Sequence, residues 1–192
     1  RLRSRGLGDV YKRQGTYCGI KKPNVENFDP QIKHKNDICL FTSDVLCNAA
    51  AVYTQNKVKG APILVTKANL EKSGNKAIAV IANSKNANTC NADGVEKADK
   101  MCELVANELN IPKEQVIVAS TGVIGQVLPI EPIEKAVPIL VKELDYGKNE
   151  EASTAIMTTD TIKKEYAVEF EIGGVKCTLG GMAKGSGMIH PN

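Results

Sequence analysis

Apolar residues along this chain fall into short runs separated by polar breaks, with two stretches of helical spacing between them. Ile38–Thr42 is apolar enough for a buried strand. Ala49–Tyr53, after the break at Asn48, predicts another. Pro62–Thr66 reads as a third, with Thr66 placed to cap a short helix through Leu70–Lys72. Ala77–Ala82 is a continuous apolar run bounded by polar residues, the signature of a central strand. Val95, Ala98, Met101, Cys102, Val105 and Leu109 then recur at helical spacing, and Pro112 marks the stop. Gln115–Ala119 is a fifth strand leading into Ser120-Thr121-Gly122. Glu131–Leu144 predicts a helix with Pro132 in its first turn and Pro138 bending it. Asn149–Met157 is a further short helix. Tyr166–Gly173 and Val175–Gly180 pair as a hairpin around Gly173-Gly174. Gly15–Asp37 is polar and irregular apart from a short Thr16–Ile20 segment. Helices and strands are mixed rather than strictly alternating, so the fold class is α/β or α+β, in layers.

Composition narrows the picture without deciding it. The 192 residues, 42% hydrophobic and 24% charged, are enough for a real core in an ordinary globular protein. No run approaches a membrane span, and no signal peptide is present. Six cysteines are scattered without a CxxC pair, which predicts reduced, mostly buried thiols in a cytoplasmic protein. His34 and His190 are the only histidines, too few for a histidine-rich metal site, and no metal is expected.

Charge first suggests a basic protein, but the N-terminus changes that. Ser4–Gln14, SRGLGDVYKRQ, matches one in-frame translation of a common transposase sequencing adapter. Residues 1–14 are therefore set aside as an artefact of gene assembly. They carry five basic residues (Arg1, Arg3, Arg5, Lys12, Arg13) and one acid (Asp9), so removing them takes the formal charge from +3 to −1. The apparent basicity then implies neither nucleic acid nor membrane binding. The other end is equally abrupt. Gly180–Asn192, GGMAKGSGMIHPN, holds four glycines, a lysine, a serine and a histidine, and it stops without turn or capping chemistry. We expect residues 15–192 to be one piece of something larger, with the reactive group just past the end.

Four motifs could carry chemistry. In AKGSG (Ala183–Gly187) the glycines let backbone N–H groups approach an anion beside the Lys184 ammonium; the same residues also suit a turn with a solvated lysine. STGVIG (Ser120–Gly125) follows a strand directly, so a hydroxyl and a backbone N–H can converge as an oxyanion hole, or simply form a turn. MTTDT (Met157–Thr161) packs three hydroxyls and a carboxylate into five residues, and also reads as a helix end with a turn. NSKNANTC (Asn83–Cys90) has the asparagines to organise a loop through side-chain-to-backbone bonds. No Ser/His/Asp triad assembles. We assign His190 to packing or capping rather than to general-base work, and no cysteine has a local activator.

In order, CGIK (Cys18–Lys21), TSDV (Thr42–Val45), AAAVYTQNKVKGAP (Ala49–Pro62), the Asn83–Asn88 loop, ASTGVIGQVLPIEPI (Ala119–Ile133), AIMTTDT (Ala155–Thr161) and AKGSGMIHPN (Ala183–Asn192) resemble the glutamate N-acetyltransferase, or ornithine acetyltransferase, family of arginine biosynthesis. The resemblance runs from Gly15 to Asn192. It implies a self-processing fold, a layered β core flanked by helices, of which this chain is the N-terminal α-chain part. It implies cleavage at an Ala-Thr bond two residues beyond Asn192, with the freed threonine as nucleophile of a separate β chain and an assembly of two α and two β chains. By motif position, Thr121 and Gly122 are implied as the oxyanion hole, and Thr158 and Lys184 as substrate contacts. No cofactor is implied; acetyl-CoA is a possible substrate beside N2-acetylornithine and glutamate. Lys85 departs from the pattern, where the family has glycine, and so bears on the loop's backbone. A non-catalytic glycine-rich anion-binding module and a related self-processing aminopeptidase are the competing readings.

Overall fold

The computed structural model describes the backbone of residues 13–17 and all of residues 36–187. His34, His190, CGIK and the final MIHPN lie outside the described residues. The described residues form six strands and four α-helices: β1 (Arg13–Tyr17), β2 (Ile38–Asn48), α1 (Ala61–Lys72), β3 (Lys76–Asn83), α2 (Gly94–Leu109), β4 (Val116–Ser120), α3 (Glu131–Lys142), α4 (Asn149–Ala155), β5 (Lys164–Ile172) and β6 (Val175–Ala183). A four-stranded sheet has the order β1-β2-β3-β4, and β5 pairs with β6 in a separate two-stranded sheet.

β2 runs antiparallel to β1 and β3, whereas β3 and β4 run parallel through α2. β1 begins inside the stretch set aside as adapter, with Arg13 opposite Thr42 and Gln14 opposite Phe41. A ladder uses only backbone groups, so this pairing asks nothing of those side chains. Alternation along the strands sends their side chains to two different clusters. Ile38, Leu40, Ala79, Ile81, Val116 and Val118 pack under α1, α2 and α3 with Val65, Met101, Val105, Ile133 and Leu140. Cys39 and Ala82 face the other way, onto Ala152 and Ala155 of α4, with Phe41, Ile156 and Met182 beside them.

Two sequence expectations fail, and both failures have a cause. Pro62–Thr66 is the first half of helix α1, not a strand. Its buried residues are Ala61, Pro62, Val65, Thr66, Asn69 and Leu70, a helical stripe that hydropathy hides because two members are polar. Those two cover the open edge of β4. The Thr66 hydroxyl donates to the Val118 carbonyl at 2.8 Å and accepts from the Val118 N–H at 3.1 Å, and Asn69 Nδ2 donates to the Val116 carbonyl at 3.0 Å. Helix α1 thus replaces the missing neighbour strand. Ala49–Tyr53 forms no strand at all. It runs past the end of β3 with Val52 fully exposed, and strand propensity without a partner gains nothing.

The cysteine expectation also needs correction. Cys39 and Cys102 are buried, Cys177 is half-buried, and Cys47 and Cys90 are exposed. Burial is the main cause that pushes the Cys39 and Cys102 thiols up to about 12. The β5–β6 hairpin leaves Tyr166, Ile172, Val175 and Leu179 exposed, an uncovered apolar surface. Among the described residues no helix is long and apolar enough to cross a membrane.

Candidate active site

Adjacent parallel strands β3 and β4 end level with each other, Asn83 opposite Ser120. Loops leaving the carboxyl ends of such strands diverge around a crevice, the usual place for a ligand. Here the two loops are sewn together by asparagines. Asn83, almost fully buried, donates from Nδ2 to the Asn86 carbonyl at 2.9 Å and accepts the Ser120 hydroxyl at 2.6 Å. Asn86 Nδ2 donates to the Gln126 and Val127 carbonyls at 3.0 and 3.2 Å, while its Oδ1 accepts the Asn88 N–H at 2.8 Å. Backbone bonds complete the seam: Thr121 N–H to the Asn83 carbonyl at 2.9 Å, Val123 N–H to the Lys85 carbonyl at 3.1 Å, and Ala87 N–H to the Val123 carbonyl at 2.9 Å.

The residue between the two bonded amides is Gly122. Its N–H has no acceptor in hydrogen-bonding geometry among the described residues, and neither has the Thr121 hydroxyl a partner there. Gly122 has φ +135°, and a Cβ on it would lie 2.2 Å from the Lys85 carbonyl carbon. Only glycine fits, on conformation and on space alike.

The opposite wall is built differently. Helix α4 ends at Ala155, the chain turns through Thr158-Thr159-Asp160, and the hairpin returns it at Ala183-Lys184-Gly185. Asp160 ties the two passes together. Its side chain is 3% exposed. The carboxylate accepts the Thr158 N–H at 3.2 Å, the Gly185 N–H at 2.5 Å and the Lys164 ammonium at 3.1 Å. Desolvation alone would raise its pKa; the Gly185 amide, the Lys164 ammonium and the Thr158 amide outweigh it and hold the carboxyl at about 2. A Cβ on Gly185 would meet Asp160 Oδ1 at 2.5 Å, so this glycine is there for close approach. The Lys184 ammonium lies 4.0 Å from Asp160 and donates to the Gly185 carbonyl at 2.9 Å.

Between the walls lies an open cleft of about 1310 Å³ whose lining includes Thr121, Gly122, Thr158 and Lys184. All the residues singled out by motif position therefore meet in one place. A smaller recess of about 420 Å³, lined by Phe41, Val80, Ile156 and Met182, adjoins it and shares Thr121 and Lys184. Such an arrangement can hold an anion at Lys184 and meet a developing oxyanion with the Gly122 amide and the Thr121 hydroxyl. Sequence reasoning named the asparagines of Asn83–Cys90 as organisers of the loop, and Asn83 is one of them; it counted the Asp160 carboxylate in its motif but gave it no role of its own. The signal for Asp160 was present, as the lone carboxylate of a hydroxyl-rich turn; that it would reach Gly185 was not.

The ArgJ family pattern matches residues 24–192. The arginine biosynthesis bifunctional protein ArgJ 1 of Clostridium acetobutylicum is 45% identical over all of this chain and 45% of its own length. The ArgJ protein of Listeria monocytogenes is 42% identical over 96% of this chain and 44% of its own. The chain thus spans a little under half the length of these relatives. A crystal structure of the Bacillus halodurans ArgJ protein superposes with TM-score 0.84 at 34% identity, covering 98% of this chain and 94% of that one. The Mycobacterium tuberculosis ornithine acetyltransferase, solved with ornithine, gives 0.81 at 33% identity, covering 100% and 97%. Shared sequence along nearly the whole chain and a shared backbone leave one assignment: this chain belongs to the ArgJ family.

Proposed function

We propose that this chain is the acyl-binding half of a cytoplasmic acetyltransferase that moves an acetyl group from N2-acetylornithine to glutamate. The nucleophile is the threonine that the family resemblance puts beyond Asn192, at the head of a second chain cut from the same precursor. Its hydroxyl attacks the amide carbonyl of N2-acetylornithine, and its own α-amine takes the proton. The tetrahedral oxyanion sits against the Gly122 N–H and the Thr121 hydroxyl. The C–N bond breaks, ornithine leaves with the proton, and an acetyl-threonine ester remains. Glutamate's amine attacks that ester through a second oxyanion in the same hole, giving N-acetylglutamate and free threonine. Acetyl-CoA can load the same threonine. Lys184 and Thr158 bind the amino-acid substrates, the lysine through a carboxylate.

One observation carries the reading. Among the described residues, Gly122 leaves an N–H and Thr121 a hydroxyl unpartnered, in a cleft that also holds Thr158 and Lys184. The ornithine bound in the Mycobacterium tuberculosis relative supports the ligand class. The exposed apolar face of the hairpin is where we place the second chain, in an assembly of two α and two β chains.

The test uses the full-length precursor. It should separate into two chains on a denaturing gel, sediment as a heterotetramer, and release ornithine from N2-acetylornithine when glutamate is added. Pure chain 1–192 should show no turnover. Replacing the newly exposed threonine with alanine should stop both half-reactions. A precursor that never cleaves, or a cleaved one that hydrolyses peptide amides and ignores acetylornithine, would refute the proposal.

A further inference from the structure

Lys85 sits where a lysine is out of place. Its φ is +78°, in the left-handed region. The other non-glycine residues found there are Asn75, Asn88 and Asn110, whose short amides suit the conformation, and Cys90. Lys85 has no such compensation, so its backbone is held by its surroundings. The Val123 N–H grips its carbonyl at 3.1 Å, and Asn83 holds the carbonyl of the next residue at 2.9 Å. Gly122 presses so closely on it that no Cβ could come between. A strained residue pinned against the oxyanion turn is a candidate for function.

The charges around it show what that function can be. Among the described residues lining the cleft, Lys85 and Lys184 are the only charged ones, with no Asp or Glu. Lys184 is already engaged by the Gly185 carbonyl and Asp160. Lys85 is half-buried, and its ammonium has neither a salt bridge nor a hydrogen bond among the described residues. A cation in that position favours an anionic ligand and repels a cationic one. The donor and the acceptor of the proposed reaction differ in this respect. Glutamate ends in a carboxylate, ornithine in an ammonium.

We propose that Lys85 is a specificity residue of the cleft, its ammonium pairing with the side-chain carboxylate of the acidic amino acid that accepts the acyl group. This rests on the transferase reading given above. In the two-chain enzyme, Lys85→Gln and Lys85→Gly should lower kcat/KM for glutamate about tenfold. The value for N2-acetylornithine should hold or rise, so the ratio of the two shifts against glutamate. Lys85→Arg should keep the wild-type ratio. Lys85→Gly relieves the left-handed strain, so its thermal midpoint should equal or exceed the wild type, which separates lost specificity from lost folding. An unchanged ratio, or an equal fall for both substrates, overturns the proposal. Equilibrium binding of L-glutamate and L-ornithine to wild type and Lys85→Gln separates the two claims. Glutamate binding weakened by Lys85→Gln in a protein that does not transacetylate refutes the transferase and keeps the site. Equal glutamate binding by both proteins refutes the site.

Discussion

The two walls of the cleft face each other and are held by opposite means. The wall from β3 and β4 is held together by neutral groups, stitched by Asn83, Asn86 and alternating backbone amides. The wall from the Thr158–Asp160 turn and the Lys184–Gly185 loop converges on a single carboxylate. Neutral amide bonds do not titrate, and buried in a loop they specify one geometry. A carboxylate hub grips two chain segments through one side chain, at the cost of depending on its ionisation. The lesson is that the oxyanion wall is fixed by neutral hydrogen bonds, while the wall facing it is fixed by a charge.

The sharpest way to break this contrast is Gly122→Ala. The new methyl would overlap the Lys85 backbone and push Thr121-Gly122 off the seam. Turnover by the full-length enzyme should fall about 100-fold or more, as for loss of an oxyanion donor, measured as ornithine release. Next in size is Asn83→Ala, which leaves the Ser120 hydroxyl and the Asn86 carbonyl without their buried partner. We expect a stability loss of about 3 kcal/mol by urea denaturation, and retained stability would show that the seam is dispensable.

Asp160→Asn addresses the other wall. The folded-state pKa of about 2 lies below the ordinary 3.8. The ionised carboxylate therefore contributes stability that is fully present above about pH 4 and is lost as pH falls through about 2. Thermal midpoints of wild type and Asp160→Asn should differ at pH 6 and converge towards pH 2. Amide exchange at Gly185 should speed up in the variant while exchange at Val123 stays the same, since the Val123 N–H is held by the Lys85 carbonyl and not by Asp160. The smallest effect belongs to Lys164→Met. Lys164 is half exposed, so its ion pair contributes under about 1 kcal/mol. A larger loss would mean that the charge pair, rather than the two backbone amides, holds the hub.

Much of the fold was legible before any coordinates. Ala77–Ala82 and Gln115–Ala119 are β3 and β4 within a residue or two at each end, and the periodic run from Val95 is α2. The Gly173-Gly174 turn joins β5 to β6, both glycines at positive φ. The strand read at Pro62–Thr66 was lost because α1 buries Thr66 and Asn69 for their hydrogen bonds, which no apolar pattern records. The cysteines were read as mostly buried because cysteine usually is, but Cys90 is exposed in a loop that lines the cleft. The role of Asp160 as a hub was missed because its partner Gly185 lies on the far side of an entire hairpin.

Local periodicity, turn residues and the order of short motifs are properties of neighbours in the chain. They settled most of the element types, placed Thr121, Gly122, Thr158 and Lys184 under suspicion, and pointed to the family. Which backbone N–H would be left without an acceptor, and whether those residues would share one cleft, depended on contacts between distant segments. A hydrogen bond from Asp160 to Gly185, or from Asn86 to Gln126, exists only once the loops have closed on each other. Convergence and leftover hydrogen-bonding capacity are long-range quantities, and the tertiary structure alone decided them.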